Sequence, residues 1–595
     1  MPPDTHLEQA PADGAPGAAP HSGSGLIALA NPLALFRGSA LINIVVLLGI
    51  GAVFFGLTDV AHQWRAPLRA SVDIQLGLRH LPQYTLFSLA RGLVAYVFSL
   101  LFTLGYAYWA AYDRRAERIL IPALDILQSL PVVSFIPGFI LALVAIFPHS
   151  NLGLELACVL SIFTGQVWNM TFSLYYSLKA VPEDYRFVGR LTGLSRFQFL
   201  KGVELPLAAN GLVFNSMMSM AGGWFFLTLT EAFTMGGKDF RLPGLGSYMS
   251  VAQEQGDGWS QFYAVVAMVV MIVVLDQLLW RPLVVWTQRF KLEDTQTGFV
   301  DRSWFLEILL RATVIRRFLT LLHRPRVLRH VQAAVLPSIT VSENGLVARG
   351  LYALVVAGLA AGALYGIGRL LLLLHSVPFA EWLRILGYSF LTFLRVGAAL
   401  VLGTLWTVPV GIAIGRSQRL QRLFQPVIQI AASFPSPMLF ANVLAIIFFF
   451  HGTIQWGAVI LILMGAQWYI LFNVISGAAA IPADLHACAA ILRLGRWERW
   501  RKFYLPAILP SLVVGWITAA GGAWNASIVS EYVSSNHHQY IATGLGSLIS
   551  EAFEKDDMPL LAASVMVMIA IVVGINRFLW KPLQRFAEDR CRITN

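Results

Sequence analysis

The feature that most constrains this 595-residue chain is a series of long, continuously apolar runs. A helix needs about 20 residues to cross the ~30 Å hydrocarbon core of a bilayer, and in lipid each helix satisfies its own backbone hydrogen bonds. Apolar residues make up 57% of the chain and charged residues 13%, too little charge to coat a water-facing surface. We therefore predict an all-α, polytopic membrane protein of about twelve transmembrane helices in two sets of six, over 41–57, 86–109, 120–147, 154–178, 206–234, 261–285, 350–374, 386–415, 426–450, 454–477, 507–533 and 560–580.

The connections between these runs differ in charge, and the difference predicts their orientation. Lys and Arg cluster after the second, fourth and sixth runs of each set, whereas the connections 148–151 and 451–453 contain neither. By the positive-inside rule, both termini and the basic connections are predicted to be cytoplasmic. The loops near 235–260 and 534–559 are then predicted to lie outside.

The second half of the chain repeats the first. Over a stretch of more than a hundred positions without a gap, adding 300 to a residue number of the first half gives matching residues in the second. Upstream of this stretch the offset is 304. An even number of spans in each half inserts both halves the same way up, so we predict a parallel pair around an axis along the membrane normal, with any pathway between them. The predicted organisation is a disordered cytoplasmic tail, a first membrane domain, a basic cytoplasmic linker, a second membrane domain and a C-terminal tail, over 1–37, 38–290, 291–349, 350–585 and 586–595.

The linker contains an amphipathic stretch, Ser303–Leu322, whose arginines alternate with large apolar residues. This pattern is typical of a helix lying in the headgroup layer. It is either a tether or a regulatory docking element.

A polar stretch joins the fourth and fifth runs of each half, and we call the two stretches, 182–206 and 482–506, the handle segments. Proline at a first helical turn, an acidic residue beside it and a central glycine predict a short helix, a turn and a second short helix on the inner face. The residues that carry this prediction are Pro182, Asp184, Gly193, Arg196, Leu205 and Pro206, and Pro482, Asp484, Gly495, Arg496, Leu505 and Pro506.

The handle segments resemble the cytoplasmic coupling motif of ABC importer permeases, in particular those of the nitrate, sulfonate and taurine group. Positions that fit the group's pattern include Gly193, Val203, Leu205-Pro206, Trp224, Glu231 and Gly244-Leu245-Gly246, and Leu505-Pro506, Trp524, Glu531 and Gly544-Leu545-Gly546. The chain departs from the pattern at the Glu-Ala-Ala positions, which hold Phe187-Val188-Gly189 and Ala487-Cys488-Ala489. Arg493 stands at the usual glycine position, and Gly495 follows two residues later.

The resemblance implies the type I importer permease fold in a bacterial inner membrane. It also implies an ATP-driven importer of a small anion such as nitrate, a sulfonate or taurine. The partners implied are two ABC ATPase subunits gripping the handle segments, a periplasmic or extracellular substrate-binding protein and the lipid bilayer, with no nucleic acid.

The residues independently indicate that the motor lies elsewhere. The only Gly-Lys pair, Gly237-Lys238, lacks the spacing of a phosphate-binding loop. We therefore expect no enzyme activity, catalytic site, metal site or cofactor in this chain, with ATP and Mg²⁺ bound by the partner subunits.

Four ionisable residues in the apolar runs suggest a gate or pathway, since charge at membrane depth is costly. Residue counts place Arg91, Glu231, Arg395 and Glu531 near the outer ends of their helices. The arginines either face the axis between the halves or pair with the glutamates, organising an outer gate; alternatively, they snorkel to the outer headgroups.

Uncharged candidates for the pathway are less specific. Trp224 and Trp524 fit either a gate or an interfacial aromatic belt. Ser129 and Ser433 precede prolines that break the third run, so they and the residues up to Ser134 and Ser436 either line the pathway or bond between helices.

Two other classes of protein share this hydropathy. A secondary transporter of the major-facilitator type also has twelve spans, but its loop signature is only a fragment here, at 111–115, and it leaves the handle segments unexplained. A non-transporting membrane scaffold would not need a repeated pathway.

Overall fold

The computed structural model describes residues 56, 58–67, 73–235, 238–290, 346–493, 495–535 and 538–591. The predicted tail 1–37, almost all of the first predicted span, 41–57, and the linker as far as residue 345, with its stretch Ser303–Leu322, lie outside these residues. A helical segment lies at 58–65, within the predicted first membrane domain.

The first half consists of helices and one short antiparallel hairpin. Its helices are α1 Leu81–Tyr112, α2 Arg114–Ser129, α3 Ile136–Ile146, α4 Leu152–Lys179, α5 Glu183–Leu191, α6 Arg196–Phe199, α7 Leu205–Glu231, α8 Leu245–Glu254, α9 Gly258–Leu275 and α10 Arg281–Thr287. Its hairpin pairs β1, Thr234–Met235, with β2, Lys238–Asp239. Single 3₁₀ turns occupy Leu78–His80, Val132–Phe135 and Gln288–Phe290.

The second half begins with α11, Leu346–His375, and then repeats this order. Its helices are α12 Phe379–Gly415, α13 Gln418–Ser433, α14 Phe440–Phe449, α15 Ile454–Ala479, α16 Ala483–Ile491, α17 Arg496–Arg499, α18 Leu505–Ser530, α19 Leu545–Glu554, α20 Met558–Ile575 and α21 Lys581–Cys591. Its hairpin pairs β3, Tyr532–Ser535, with β4, His538–Ile541, and a 3₁₀ turn occupies Ser436–Leu439.

Each half is built around the helix of its fourth apolar run. In the first half α4 packs between α1 and α7, and in the second α15 packs between α12 and α18. Small residues allow close packing: a Cβ on Gly415 would lie 2.6 Å from Ala478 Cβ. Residues such as Val97, Phe98 and Leu101 are exposed on the other side of α1, as lipid-facing residues should be.

Within the described residues, seven helices are long and apolar enough to cross a membrane, or nine if each bent pair counts as one span. The helix α4 is 28 residues long. It is not among these seven helices, and Glu155, Gln166 and Asn169 lower its hydropathy. The all-α membrane fold in two repeated halves is as predicted, and α11 extends the predicted span 350–374 to Leu346.

The third runs of the two halves are not straight spans. The helices on either side of the break differ in direction by 88° in the first half and 82° in the second. Pro131 and Pro435 lie at these breaks in extended backbone. A proline lacks the N–H that a continuous helix needs, which explains the break.

The handle segments also differ from the prediction. We expected two short helices ending at Leu-Pro, but Arg196–Glu231 and Arg496–Ser530 are continuous helices of 36 and 35 residues. The Leu205 N–H bonds Leu200 O, five residues back, in a π turn just before Pro206. The wider turn accommodates the proline without ending the helix.

The same device recurs wherever a described π turn occurs. The turns Leu200–Glu204, Asp276–Trp280, Trp500–Tyr504 and Asn576–Trp580 each end two residues before a proline. Leu-Pro and the corresponding Arg-Pro and Lys-Pro pairs therefore mark bulges inside helices.

The predicted outer loops are ordered structure. Each contains a hairpin followed by a ten-residue helix, α8 or α19, most of whose residues are buried. We call the end of the molecule with these elements the loop side and the opposite end, with α5 and α16, the handle side. The 27-residue helix α7 connects the two sides.

The two halves are parallel, because equivalent ends meet. On the loop side, the rings of Phe233 and Phe553 are 5.0 Å apart. On the handle side, Lys581 of the second half forms an ion pair with Asp125 of the first.

Candidate functional site

A cavity of about 430 Å³ lies at the seam between the two halves. Helices α2, α4 and α7 line it from the first half, and α15, α18 and α20 from the second. Its aromatic residues include Trp168, Trp468 and Trp524, and its polar residues include Asn169 and Tyr469. The only charged side chain among the described lining residues is Asp125, which is paired with Lys581.

Some polar groups of the cavity lining have no protein partner. The indole N–H of Trp168 and the hydroxyl of Ser436 are buried without a hydrogen bond within the described residues. Tyr469 reaches across the seam, with its hydroxyl oxygen 3.4 Å from where a Cβ on Gly222 would lie. The Trp168 and Ser436 atoms are both enclosed by surrounding protein atoms, so each is an unsatisfied polar group within the cavity wall.

Hydrogen bonds between the halves surround the cavity. The Val133 N–H donates to Asn525 Oδ1 at 3.2 Å, beside the break in the first half. The equivalent positions in the other direction are Pro437, which has no N–H, and Phe225, whose side chain has no acceptor. This bond therefore occurs on one side only. On the loop side, Gln253 Nε2 donates to Met438 O at 3.0 Å and Asn442 Nδ2 to Gln261 Oε1 at 2.8 Å.

The ionisable residues of the first half form a buried cluster. The Arg91 guanidinium contacts both Glu155 oxygens, at 2.6 and 2.7 Å, and donates to Glu231 Oε1 at 2.7 Å. The hydroxyl of Ser88 also donates to Glu231, at 2.8 Å. All three charged side chains are 99% buried or more.

The second half repeats this cluster with one carboxylate fewer. Arg395 Nη1 donates to Glu531 Oε1 at 2.7 Å, and Thr392 takes the place of Ser88. Gln455 stands at the position of Glu155 and accepts from Arg395. The first cluster therefore contains one cation and two anions, and the second one of each.

Each cluster fixes the loop-side structure of its own half. The Gly246 N–H donates to Glu231 Oε2 at 2.8 Å, and the Gly546 N–H donates to Glu531 Oε2 at the same distance. A Cβ on Gly244 would lie 2.3 Å from the Glu231 carboxyl carbon. Glycine is therefore required there by the close approach of the carboxylate.

The residues predicted for a pathway or gate are divided by the structure. Of the eight, only Trp524 is among the described cavity-lining residues; Trp224 packs against Gly92 inside the first half. Arg91 pairs with Glu231 and Arg395 pairs with Glu531, each within its own half, and none of the four is among the described cavity-lining residues. The pairing offsets the cost of burying these charges. Ser129 and Ser433 are the last residues of α2 and α13, and Ser433 is buried.

The handle segments present apolar side chains at the handle side. Phe187 and Leu191 of α5 are 57% and 70% exposed, and Ile491, the last residue of α16, is 79% exposed. Pro182 precedes α5 and Asp184 is its second residue, and Pro482 and Asp484 stand at the equivalent positions before and within α16. Arg196 and Arg496 begin α6 and α17, and Leu205-Pro206 and Leu505-Pro506 begin α7 and α18.

The turn of the second handle segment lies at Arg493 and not at Gly495. Gly193 has φ +69° and Arg493 has φ +48°, both in the left-handed region. Gly495 has φ −60° and precedes α17, as Ser195 precedes α6. The second handle segment therefore keeps the turn at the position equivalent to Gly193, although an arginine stands there, at a steric cost of about 1–2 kcal/mol.

The two handle segments differ in charge. The helix α5 carries Glu183, Asp184, Arg186 and Arg190, whereas Asp484 is the one charged residue of α16 at neutral pH. Burial, and then Arg416 and Arg499, hold the pKa of His486 below its usual range, so it is neutral there.

Sequence reasoning missed Glu155, Trp168 and Tyr469. Glu155 had a readable signal, since it is a carboxylate inside an apolar run whose counterpart, at the offset of 300, is Gln455. The two aromatic residues had none, because the packing decides which face of α4 or α15 meets the seam.

Comparison with known proteins agrees with these features. The family model described as binding-protein-dependent transport system inner membrane component matches residues 84–279 and 407–581, together more than half of the chain. The bicarbonate transport system permease protein CmpB of Synechococcus elongatus is 28% identical over 193 residues, 32% of this chain and 66% of that protein.

Two further relatives match over similar lengths. The nitrate import permease protein NrtB of Leptolyngbya laminosa is 26% identical over 196 residues, 33% of this chain and 65% of that protein. The aliphatic sulfonates transport permease protein SsuC of Bacillus subtilis is 24% identical over 188 residues, 32% of this chain and 64% of that protein. The matches thus span slightly less than two thirds of these relatives. With two copies of the family domain, this chain belongs to the family of binding-protein-dependent transport system inner membrane components.

Proposed function

We propose that this chain is the complete membrane pathway of an ATP-driven importer, with both permease halves in one polypeptide. The observation that carries the proposal is the continuity of the helices from the handle side to the cavity. Arg196–Glu231 begins beside α5 and contributes Met218 and Gly222 to the cavity lining. A displacement of α5 would therefore move the cavity lining directly.

The motor of this proposal is a pair of separate ABC ATPase subunits. Each would bind one handle segment through the exposed apolar residues of α5 or α16. Closure of the two subunits around ATP and Mg²⁺ would bring the handle segments together and open the seam on the loop side. A substrate-binding protein would dock on that side.

The same proposal places the handle side and both termini in the cytoplasm of a bacterial cell. The basic residues of the handle segments support this orientation. The named relatives transport bicarbonate, nitrate and aliphatic sulfonates, so the proposed substrate is a small anion of this kind.

Reconstitution tests the proposal. The full chain is placed in proteoliposomes with ABC ATPase and substrate-binding subunits of the same organism, and uptake of labelled nitrate and bicarbonate is measured. We expect uptake to require ATP. Uptake driven by a proton gradient without ATP would instead establish a secondary transporter, and stable assembly without any uptake would indicate a scaffold.

Substitutions at the handle segments give a second readout. Phe187→Asp and Ile491→Asp should abolish co-purification of the ATPase subunits, because a charge would be placed in the apolar contact. Phe586→Asp is the matched control: Phe586 is 49% exposed on the handle side, outside both handle segments. Equal loss of the ATPase in all three variants would contradict docking at α5 and α16.

A further inference from the structure

Four glycines line the seam cavity at the middle of the membrane domain, and we call them the glycine collar. They are Gly165 and Gly222 of the first half and their counterparts Gly465 and Gly522 of the second. A Cβ on Gly222 would lie 3.7 Å from Gly165 O, and a Cβ on Gly522 would lie 3.7 Å from Gly465 O. Gly165 is at the centre of the 28-residue helix α4, about 20 Å from either end. The collar therefore lies about midway between the loop side and the handle side.

The side chain of Tyr469 lies inside this collar. Its hydroxyl oxygen is 3.4 Å from where a Cβ on Gly222 would be, and its Cε2 is 3.2 Å from where a Cβ on Gly522 would be. Gly222 and Gly522 are equivalent positions of the repeat, so the midpoint between them lies on the axis that relates the two halves. Because one ring reaches both glycines, this ring lies on or beside the axis. A pathway between the halves would run along the same line.

Only the second half supplies a ring at this level. A side chain on a twofold axis would overlap its own copy, so the repeat must differ at this position. The counterpart of Tyr469 is Asn169, which also lines the cavity. Tyr469 contacts the collar glycine of its own half, whereas no atom of Asn169 lies within 4 Å of where a Cβ on Gly222 would be. The shorter residue thus leaves the axis to the tyrosine.

The ring separates two levels of the cavity lining. About one turn of α18 before Gly522, on the handle side, Thr518 lines the cavity; about one turn after it, on the loop side, Asn525 does. An ion moving along the axis would meet the Tyr469 ring between these two levels. The cavity of about 430 Å³ leaves room for the ring to turn aside.

We propose that Tyr469 is the single gating side chain of the pathway, closing the axis within the glycine collar and opening it when the ring leaves the collar. This inference rests on the proposed function, because a transporter must not leave an open channel between its halves. Separation of α7 from α18 would remove the contacts that hold the ring on the axis. The four glycines leave space for the ring, since larger side chains at these positions would occupy it.

Cysteine labelling of the chain alone in lipid nanodiscs tests the gate. Thr518→Cys reports the handle-side level and Asn525→Cys the loop-side level, each in a Cys488→Ala, Cys591→Ser background. A small charged methanethiosulfonate is added and the rate of modification is measured. Tyr469→Asn, which supplies the residue of the other half, should speed modification at position 525 about tenfold or more, because that site then reacts without a prior local opening. The rate at position 518 should not change.

Matched substitutions control for other effects. Asn525→Cys removes the hydrogen bond to the Val133 N–H, so rates at position 525 are compared only within that background. Asn169→Ala should leave both rates unchanged, because Asn169 does not occupy the axis. Tyr469→Phe keeps the ring and should keep position 525 protected.

Two outcomes would overturn the inference: an unchanged rate at position 525 in Tyr469→Asn, or an equal acceleration at position 518. Tyr469→Asn must also melt like the unsubstituted chain; if it does not, Tyr469→Ala in the same assay decides. The assay needs no ATPase and no substrate. Loss of protection without ATP-driven uptake on reconstitution would keep the barrier and reject the proposed function, whereas ATP-driven uptake with unchanged labelling would do the reverse.

Discussion

At the scale of single residues, Glu231 at the end of α7 connects three helices of the first half, because it bonds Ser88 and Arg91 on α1 and the Gly246 N–H on α8. The nearby Gly244 must lack a Cβ for this arrangement to close.

We expect Gly244→Ala to lower the free energy of unfolding by about 1–3 kcal/mol through overpacking. Gly105→Ala is the control: its Cβ would meet nothing within 4 Å, so it should be neutral or stabilising. Thermal unfolding in micelles compares them, and equal shifts would count against close approach as the cause.

The extra carboxylate of the first cluster allows a second residue-scale prediction. Glu155→Gln converts that cluster to the composition of the second, where Gln455 contacts Arg395. We expect it to change the free energy of unfolding by no more than about 1 kcal/mol. Arg91→Met, in contrast, leaves two buried carboxylates without a cation and should cost about 3–5 kcal/mol. If Glu155→Gln proved as damaging as Arg91→Met in the same melting assay, the first cluster would not tolerate the composition of the second, and the prediction would be wrong.

At the scale of elements, the handle side offers a native chemical probe. Cys488 of α16 is exposed, whereas Cys158 is buried. In a Cys591→Ser background, we expect a membrane-impermeant maleimide to label Cys488 in inside-out vesicles but not in intact spheroplasts, because α16 is proposed to face the cytoplasm. Cys488→Ala should remove the label. Labelling from the outside only would reverse the orientation, and bound ATPase subunits should protect Cys488.

The elements also show where sequence reasoning is reliable. The repeat, the long helices and the position of the handle segments follow from apolar periodicity and fixed offsets. Leu205-Pro206 was misread as an end because proline usually stops a helix, and only the backbone shows that a π turn accommodates it. Arg493 was misread for a related reason: an arginine gives no sign in the sequence of the left-handed φ that the backbone adopts there.

At the scale of the whole molecule, the parallel arrangement was predictable, whereas the contents of the seam were not. An even number of spans in each half determines the arrangement. In contrast, the pairing of Val133 with Asn525 depends on a break geometry that residue types do not encode. Arg91 and Glu231 are an intermediate case. Counting residues along their helices places both at one depth in the membrane, but it does not decide whether they pair with each other or face the axis between the halves.

The seam itself supports the final prediction. On the loop side, the halves are joined by Asn442 and Gln261 and by Gln253 and Met438 O. If transport opens this side, removing one bond should favour the open form by about 0.5–1.5 kcal/mol, a factor of roughly 2 to 10 in population. We expect Asn442→Ala to speed the labelling of a Ser436→Cys variant from the loop side by such a factor. Gln83→Ala is the control, because Gln83 donates to Asp59 within the first half, at an exposed site. An unchanged labelling rate in Asn442→Ala would mean that the seam does not open through these contacts, and the cavity would then have to exchange with the loop side by another route.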